Sequence, residues 1–153
     1  MKQIALDISL ISRPSLANFV GGPNDAAIAH LRLFAETGGR ASVPTYLWGD
    51  SGSGKTHLLR AVQAALHGAG ARCGWLDAGE AESPEFDDRW AAILLDDCHL
   101  YGVRQQQAAF NWFVHALNAA DGRPRWVLAA GQMPPADLPL REDLRSRLGW
   151  GHV

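Results

Sequence analysis

Hydrophobic positions fall into short runs separated by stretches of helical spacing. The runs Val43 to Trp48, Arg72 to Leu76, Trp90 to Leu95 and Arg125 to Ala130 read as β-strands. The third is nearly continuously apolar and ends in Asp96-Asp97, the pattern of a central parallel strand. Between the strands, Leu58, Ala61, Val62 and Ala65 mark one face of a helix from Thr56 to about His67, closed by Gly68-Ala69-Gly70. Phe110, Phe113, Val114 and Leu117 mark a second helix, from about Gln105 to Ala120, and read as core rather than as a base-stacking platform. Upstream, Ala27, Leu31 and Phe34 make Asn24 to about Glu36 amphipathic, with Pro23 in the first turn and Gly38-Gly39 as the stop. After Met133-Pro134-Pro135 a short helix is expected over Leu138 to Leu148. Residues 1–15 lack helical periodicity and contain Pro14, so they read as an extended arm, with 16–153 as the folded core. Strands alternating with helices predict an α/β fold of three layers around a parallel sheet.

Composition narrows the functional classes. With 153 residues the chain is one domain, and its 47% hydrophobic and 20% charged content is that of a soluble globule. A net charge of −2 gives no electrostatic footprint for wrapping DNA, so little or no direct sequence-specific DNA binding is expected. No apolar run approaches the roughly 20 residues of a bilayer span, so no membrane partner is expected. Asp7 stands where a secretion signal would be apolar. Cys73 and Cys98 fall in predicted strands and form no disulfide framework, which points to a reducing, cytoplasmic setting. The acids between Asp77 and Asp88 read as a solvated connection.

The chemistry is concentrated in Gly49-Asp50-Ser51-Gly52-Ser53-Gly54-Lys55-Thr56, which fits the phosphate-binding pattern G-x-x-x-x-G-K-[ST]. A strand leads in and a helix leads out, as the mechanism requires. Glycines let backbone N–H groups approach phosphate oxygens, and the helix start adds a positive dipole end. Lys55 is expected on the β- and γ-phosphates, and Thr56 on Mg²⁺ with Asp96 behind it. Asp97 is placed to orient an attacking water, or else simply caps the next segment. His57, next in the helix, reads as a packing or hydrogen-bonding residue at the edge of the nucleotide site. Cys98-His99 lacks ligand-spaced partners for zinc. Arg141, Arg145 and Arg147 either complement a helix dipole or supply an arginine to a γ-phosphate held by a neighbouring subunit.

The phosphate loop with His57-Leu58-Leu59, then Leu94-Leu95-Asp96-Asp97, then Leu144-Arg145-Ser146-Arg147-Leu148-Gly149-Trp150-Gly151 resemble the AAA+ core of the bacterial replication initiator DnaA and its relatives. Asn18-Phe19-Val20-Gly21-Gly22-Pro23-Asn24 is similar to that family's segment beside the adenine, implying Phe19, Val20 and Asn24 as nucleotide contacts. The resemblance implies ADP or ATP with Mg²⁺ as ligands. The connection between Leu76 and Trp90 is short where initiators carry an inserted element that grips single-stranded DNA. A C-terminal double-strand DNA-binding domain is not expected either, and together these expectations resemble the Hda branch, regulators that inactivate the initiator. Gln3-Ile4-Ala5-Leu6-Asp7-Ile8 is similar to that branch's motif for the polymerase sliding clamp, with Gln3, Ile4, Leu6 and Ile8 as contacts. Asp7 stands where the family usually has proline, and a tail with chance aliphatics is the alternative. Arg147 is then the arginine presented in trans to ATP on the initiator. The resemblance implies a threonine and an acid as γ-phosphate sensor where Ala129-Ala130-Gly131-Gln132 stands, so intrinsic hydrolysis is expected to be slow. The chain stops at Val153, where the family's helical lid begins, so a core without its lid and with weaker nucleotide affinity is expected. The implied partners are the initiator DnaA and the sliding clamp, with self-association possible in an AAA+ module. A stand-alone P-loop ATPase or kinase, and an initiator or helicase-loader fragment, are the competing readings.

Overall fold

The computed structural model describes Leu31 and residues 44–49, 54–79, 83–118 and 125–149. Its elements run β1 (Thr45–Trp48), α1 (Lys55–Gly68), β2 (Arg72–Leu76), β3 (Trp90–Leu95), a 3-10 turn (Cys98–Leu100) and α2 (Val103–Leu117). Then come β4 (Trp126–Gly131), a second 3-10 turn (Pro135–Asp137) and α3 (Glu142–Leu148). All strand pairs are parallel, in the order β1-β4-β3-β2.

Because side chains alternate along a strand, each central strand feeds two cores. Ile93 and Leu95 of β3, with Val127 and Ala129 of β4, pack with Trp112 and Phe113 of α2 and with Leu144 and Leu148 of α3. Ala92 and Leu94, with Trp126, Leu128 and Ala130, pack with Leu58, Leu59, Val62 and Leu66 of α1 and with Leu31. Helices therefore cover both faces, and the expected three-layer α/β arrangement is what forms. Leu31 is helical and buried, as the upstream amphipathic pattern requires. The other residues of that pattern, and the 1–15 arm, lie outside the described residues.

Several boundaries differ from the periodicity, each for a local reason. The helix expected from Gln105 begins at Val103, because Gly102 N–H donates to Gln105 Oε1 at 2.9 Å and places Gln105 one turn inside the cap. The buried stripe of α2 is Ala109, Trp112, Phe113 and Ala116, so Phe110 is only half-buried. Trp112 takes the centre of that face: its indole donates to Pro84 O at 3.0 Å and its ring meets Trp90 edge-on at 4.9 Å. The helix expected over Leu138 to Leu148 is confined to Glu142–Leu148. Pro139 forces Leu138 into an extended conformation and delays the helix. Cys98 lies in the 3-10 turn rather than in a strand. In the described parts of the acidic connection, Asp87 takes Arg89 at 2.8 Å and Asp77 accepts from Gly79 N–H at 2.9 Å, so these two acids brace it locally.

Gly131 ends β4 in a place with no room for a Cβ, which would meet Tyr46 Oη. That hydroxyl is pinned, donating to Met133 O at 2.6 Å. Gly131→Ala is therefore expected to destabilise the fold by about 1–3 kcal/mol, through overpacking against a side chain that cannot move away. Urea unfolding followed by circular dichroism measures this, and a midpoint equal to wild type would show that the Tyr46 contact yields.

Candidate nucleotide site

The carboxyl ends of parallel strands are where α/β sheets bind ligands, and Gly49, Gly54, Lys55, Thr56, Asp96 and Asp97 lie at that edge. Gly54 is the N-cap of α1 with φ 90°, a left-handed conformation that favours glycine. No side chain caps α1 and no acid occupies its first turn, so its amino end keeps its positive character. At the other end of the loop, Gly49 N–H donates to Gly131 O at 3.3 Å, tying the exit of β1 to the end of β4. Lys55 Nζ donates to Gly49 O at 2.6 Å, so the ammonium spans the loop from its last turn to its first residue. Asp50, Ser51, Gly52 and Ser53 lie outside the described residues.

Thr56 Oγ1 donates to Asp96 Oδ2 at 2.8 Å and joins the start of α1 to the end of β3. Asp96 is 3% exposed, and its other oxygen, Oδ1, is buried without a hydrogen-bond partner. Burial pushes the Asp96 carboxyl above the ordinary carboxylate value; the Thr56 hydroxyl pulls it back in part, and the neighbouring Asp97 charge adds to the rise. An orphaned carboxylate oxygen beside a threonine hydroxyl suits a hard divalent cation that takes its remaining ligands from phosphate and water. These residues fit Mg²⁺, with Thr56 and Asp96 holding it; bound there, the cation would neutralise phosphate charge. No cluster of three or more His, Cys, Asp or Glu able to hold a metal occurs among the described residues.

Asp97 follows with φ 51° and ψ 43°, a left-handed conformation that aspartate tolerates better than most residues. It stands at the N-cap of the 3-10 turn but makes no side-chain cap bond, so the capping alternative does not engage its carboxylate. Cys98 is buried, donates to Leu95 O at 3.5 Å, and burial pushes its thiol up to about 12, which leaves it inert at neutral pH. His99 was legible only as a poor zinc ligand. Its Nδ1 accepts from Gln132 N–H at 3.2 Å, linking the turn after β3 to the end of β4. No sequence spacing signals that contact. His57 is exposed on α1. Arg147 lies on α3, in the layer across the sheet from α1, with its guanidinium 5.0 Å from the Phe110 ring centroid. The structure thus gathers Gly49, Gly54, Lys55, Thr56, Asp96 and Asp97, and places Arg147 in the other layer. Phe19, Val20 and Asn24, and Gln3, Ile4, Leu6 and Ile8, lie outside the described residues. A groove of about 810 Å³ between the 83–86 loop and α2 shares none of these residues.

Residues 10–78 match the family model described as the bacterial DnaA ATPase domain. The chromosomal replication initiator protein DnaA of Thermus thermophilus is 31% identical over 154 residues, covering 89% of this chain and 35% of the relative. These matches support a DnaA-related AAA+ core for the chain. The chain spans about a third of the length of the curated DnaA relatives it matches. Among solved structures, AMPPCP-bound DnaA from Aquifex aeolicus superimposes with a TM-score of 0.75 at 24% identity, covering 94% of this chain and 50% of that one. The solution structure of the Neisseria meningitidis protein NMB1076 matches with a TM-score of 0.54 at 26% identity, over 90% of this chain and 87% of that one. These neighbours share with this DnaA-related core its fold.

In a DnaA-related core the Asp96 carboxylate is a liability when nothing is bound. Its folded-state value lies above the unfolded one, so the folded state holds the proton more tightly. Stability is then greatest below the unfolded carboxylate range and falls as pH rises through the raised folded value. Asp96→Asn keeps an acceptor for Thr56 and removes the buried charge. In buffer free of metal and nucleotide at neutral pH it is expected to raise stability by about 1 kcal/mol, a melting-temperature gain of roughly 2–4 °C. The gain should vanish at low pH, and the Mg²⁺-dependent part of nucleotide affinity should be lost. Melting curves across pH with parallel nucleotide titrations check both; a variant less stable at neutral pH would contradict the argument.

Proposed function

We propose that this chain is a nucleotide-binding AAA+ regulator of the Hda type. It binds ADP or ATP with Mg²⁺ at the Lys55, Thr56 and Asp96 edge, and it stimulates ATP hydrolysis on the initiator DnaA together with the DNA-loaded sliding clamp. The effect is negative control of replication initiation. The observation that carries this reading is Arg147. It belongs to the Ser146-Arg147-Leu148-Gly149 segment and lies in the layer across the sheet from α1. Among the described residues its guanidinium has no hydrogen bond or ion pair, only the Phe110 ring. A planar cation with its N–H donors unused suits an anion supplied from outside. In phosphoryl transfer such a cation stabilises the charge that spreads over the γ-phosphoryl oxygens.

The nucleotide on this chain then serves as a structural ligand. Gln132 can hydrogen-bond but cannot act as a base, which suits slow intrinsic turnover. Residues 1–15 are assigned as the clamp-binding arm, with Gln3 hydrogen-bonded and Ile4, Leu6 and Ile8 filling an apolar pocket. Residues 16–153 are the nucleotide-binding core. Nucleotide-bound DnaA among the structural neighbours is consistent with a nucleotide here.

Arg147→Ala is expected to leave nucleotide affinity unchanged and to reduce the stimulated hydrolysis rate by about a thousandfold or more, the usual magnitude for such an arginine. The assay compares this chain alone, the chain with clamp and DNA, and the full mixture with the initiator. Turnover by the chain alone would favour a stand-alone ATPase. A collapse of nucleotide binding in the variant would make Arg147 structural. Gln3→Ala should weaken retention on immobilised clamp, and undiminished retention would remove the arm from the clamp contact.

A further inference from the structure

The arginines around α3 are held in different ways. Arg141 is tied down on several sides. Its Nη2 donates to Asp143 Oδ2 at 2.6 Å, its Nη1 to Gln107 Oε1 at 3.1 Å, and its backbone N–H to Gln106 Oε1 at 2.9 Å. Its guanidinium lies 5.0 Å from the Phe110 ring centroid. The second guanidinium over that ring is Arg147, also at 5.0 Å, and it has no polar partner among the described residues. Phe110 is thus shared by two cations, one neutralised and one not.

Two like charges at one ring repel unless something compensates them. Asp143 supplies the compensation. Partial desolvation works to raise its carboxyl, but the Arg141 and Leu144 N–H bonds outweigh it and hold the group below its ordinary value, with the Arg147 charge adding to the lowering. Arg141 is therefore charge-paired, and Arg147 keeps its place over the ring without being pushed away. The ring attracts the cation through its face while leaving the guanidinium without a hydrogen-bond acceptor. An aspartate or glutamate in that position would hold Arg147 equally well but would consume its donor fork and its charge. The half-buried Phe110 breaks the core stripe of α2, which is explained if its ring serves the arginine rather than the core.

We propose that Phe110 is the positioning residue for Arg147, and that the α2–α3 face carrying both is where the partner's polyphosphate is met. The inference rests on the trans role of Arg147 and specifies what sets that residue's geometry. Restricting a long side chain before the encounter removes an ordering cost from the transition state, so its loss should appear in the maximal rate rather than in assembly.

The test uses the full mixture of chain, clamp, DNA and ATP-loaded initiator. Phe110→Leu and Phe110→Met keep apolar volume and remove the ring face; Phe110→Tyr keeps the face. The two aliphatic variants are expected to lower the maximal stimulated hydrolysis rate about tenfold, with the half-saturating concentration of the chain unchanged. Phe110→Tyr should restore the wild-type rate, and all three should melt within a few degrees of wild type. Equal loss in Phe110→Tyr, or loss confined to the half-saturating concentration, would overturn the positioning role. If the aliphatic variants act like wild type while Arg147→Ala abolishes stimulation, the trans arginine stands and Phe110 does not position it. If Arg147→Ala has no effect, the trans reading itself fails, and this inference with it.

Discussion

The hydrogen bond from Thr56 to Asp96 is the constraint on which the carboxyl edge of the sheet depends. It spans β4, joining the helix that follows β1 to the end of β3 at 2.8 Å. It satisfies one carboxylate oxygen and leaves the other buried and unpartnered, a cost on the order of 1–3 kcal/mol. Such a group persists only where the backbone around it is fixed. Asp96 N–H donates to Leu76 O at 2.8 Å, and the strand before it is buried on both faces. The two cores that β3 and β4 feed are thus what hold an unfavourable carboxylate in place. A cation brought with a polyphosphate would relieve the same atom, so the feature that weakens the empty fold is the one that favours ligand.

The edge is also braced sideways, by bonds outside the strand ladders. Gly49 N–H reaches Gly131 O, and Gln132 N–H reaches His99 Nδ1. These contacts tie the ends of β1 and β3 to β4, so the loop glycine, the Asp96-Asp97 pair and the end of β4 form one row. For His99 to accept, its Nδ1 must be unprotonated, which fixes the proton on Nε2 in the neutral ring. Gly131 completes the row only because it lacks a Cβ, leaving space for the Tyr46 hydroxyl.

Much of this was legible in the sequence because central parallel strands are apolar on both faces and announce themselves as runs. Arg72–Leu76 and Trp90–Leu95 form where the runs predict. The phosphate-loop ends, Thr56 and Asp96 were legible because their chemistry demands particular side chains next to particular elements. Helix limits were less so. The start of α2 is set by a side chain reaching back to Gly102, and the start of α3 by Pro139 acting on Leu138. The buried face of α2 lies one position away from the one hydrophobicity alone selects, which ranks Phe110 with the core. What decides its place is the Trp112 indole bond to Pro84 O and the two guanidiniums, contacts between residues far apart in sequence. The His99–Gln132 contact is of the same kind and left no trace in spacing.

The arginines near the C-terminus illustrate how structure separates roles that composition merges. A helix of seven residues has a small dipole, and Glu142 and Asp143 at its start with Arg145 and Arg147 at its end already match that polarity. Complementing a dipole therefore requires only that cations be present, and it says nothing about where their donors go. Arg145 turns to Leu138 O at 3.5 Å, a long contact that occupies it within the fold. Arg141 is consumed by Asp143 and Gln107. Arg147 is spared both fates and is held instead by an aromatic face. A purely structural cation would be expected to end as the first two do, because an exposed guanidinium gains by pairing with any carboxylate in reach. The Asp143 carboxylate lies close enough to feel the Arg147 charge and yet is engaged by Arg141. That division of labour, one carboxylate assigned to one arginine and one ring shared by two, leaves Arg147, of the three arginines around α3, with no hydrogen bond or ion pair among the described residues.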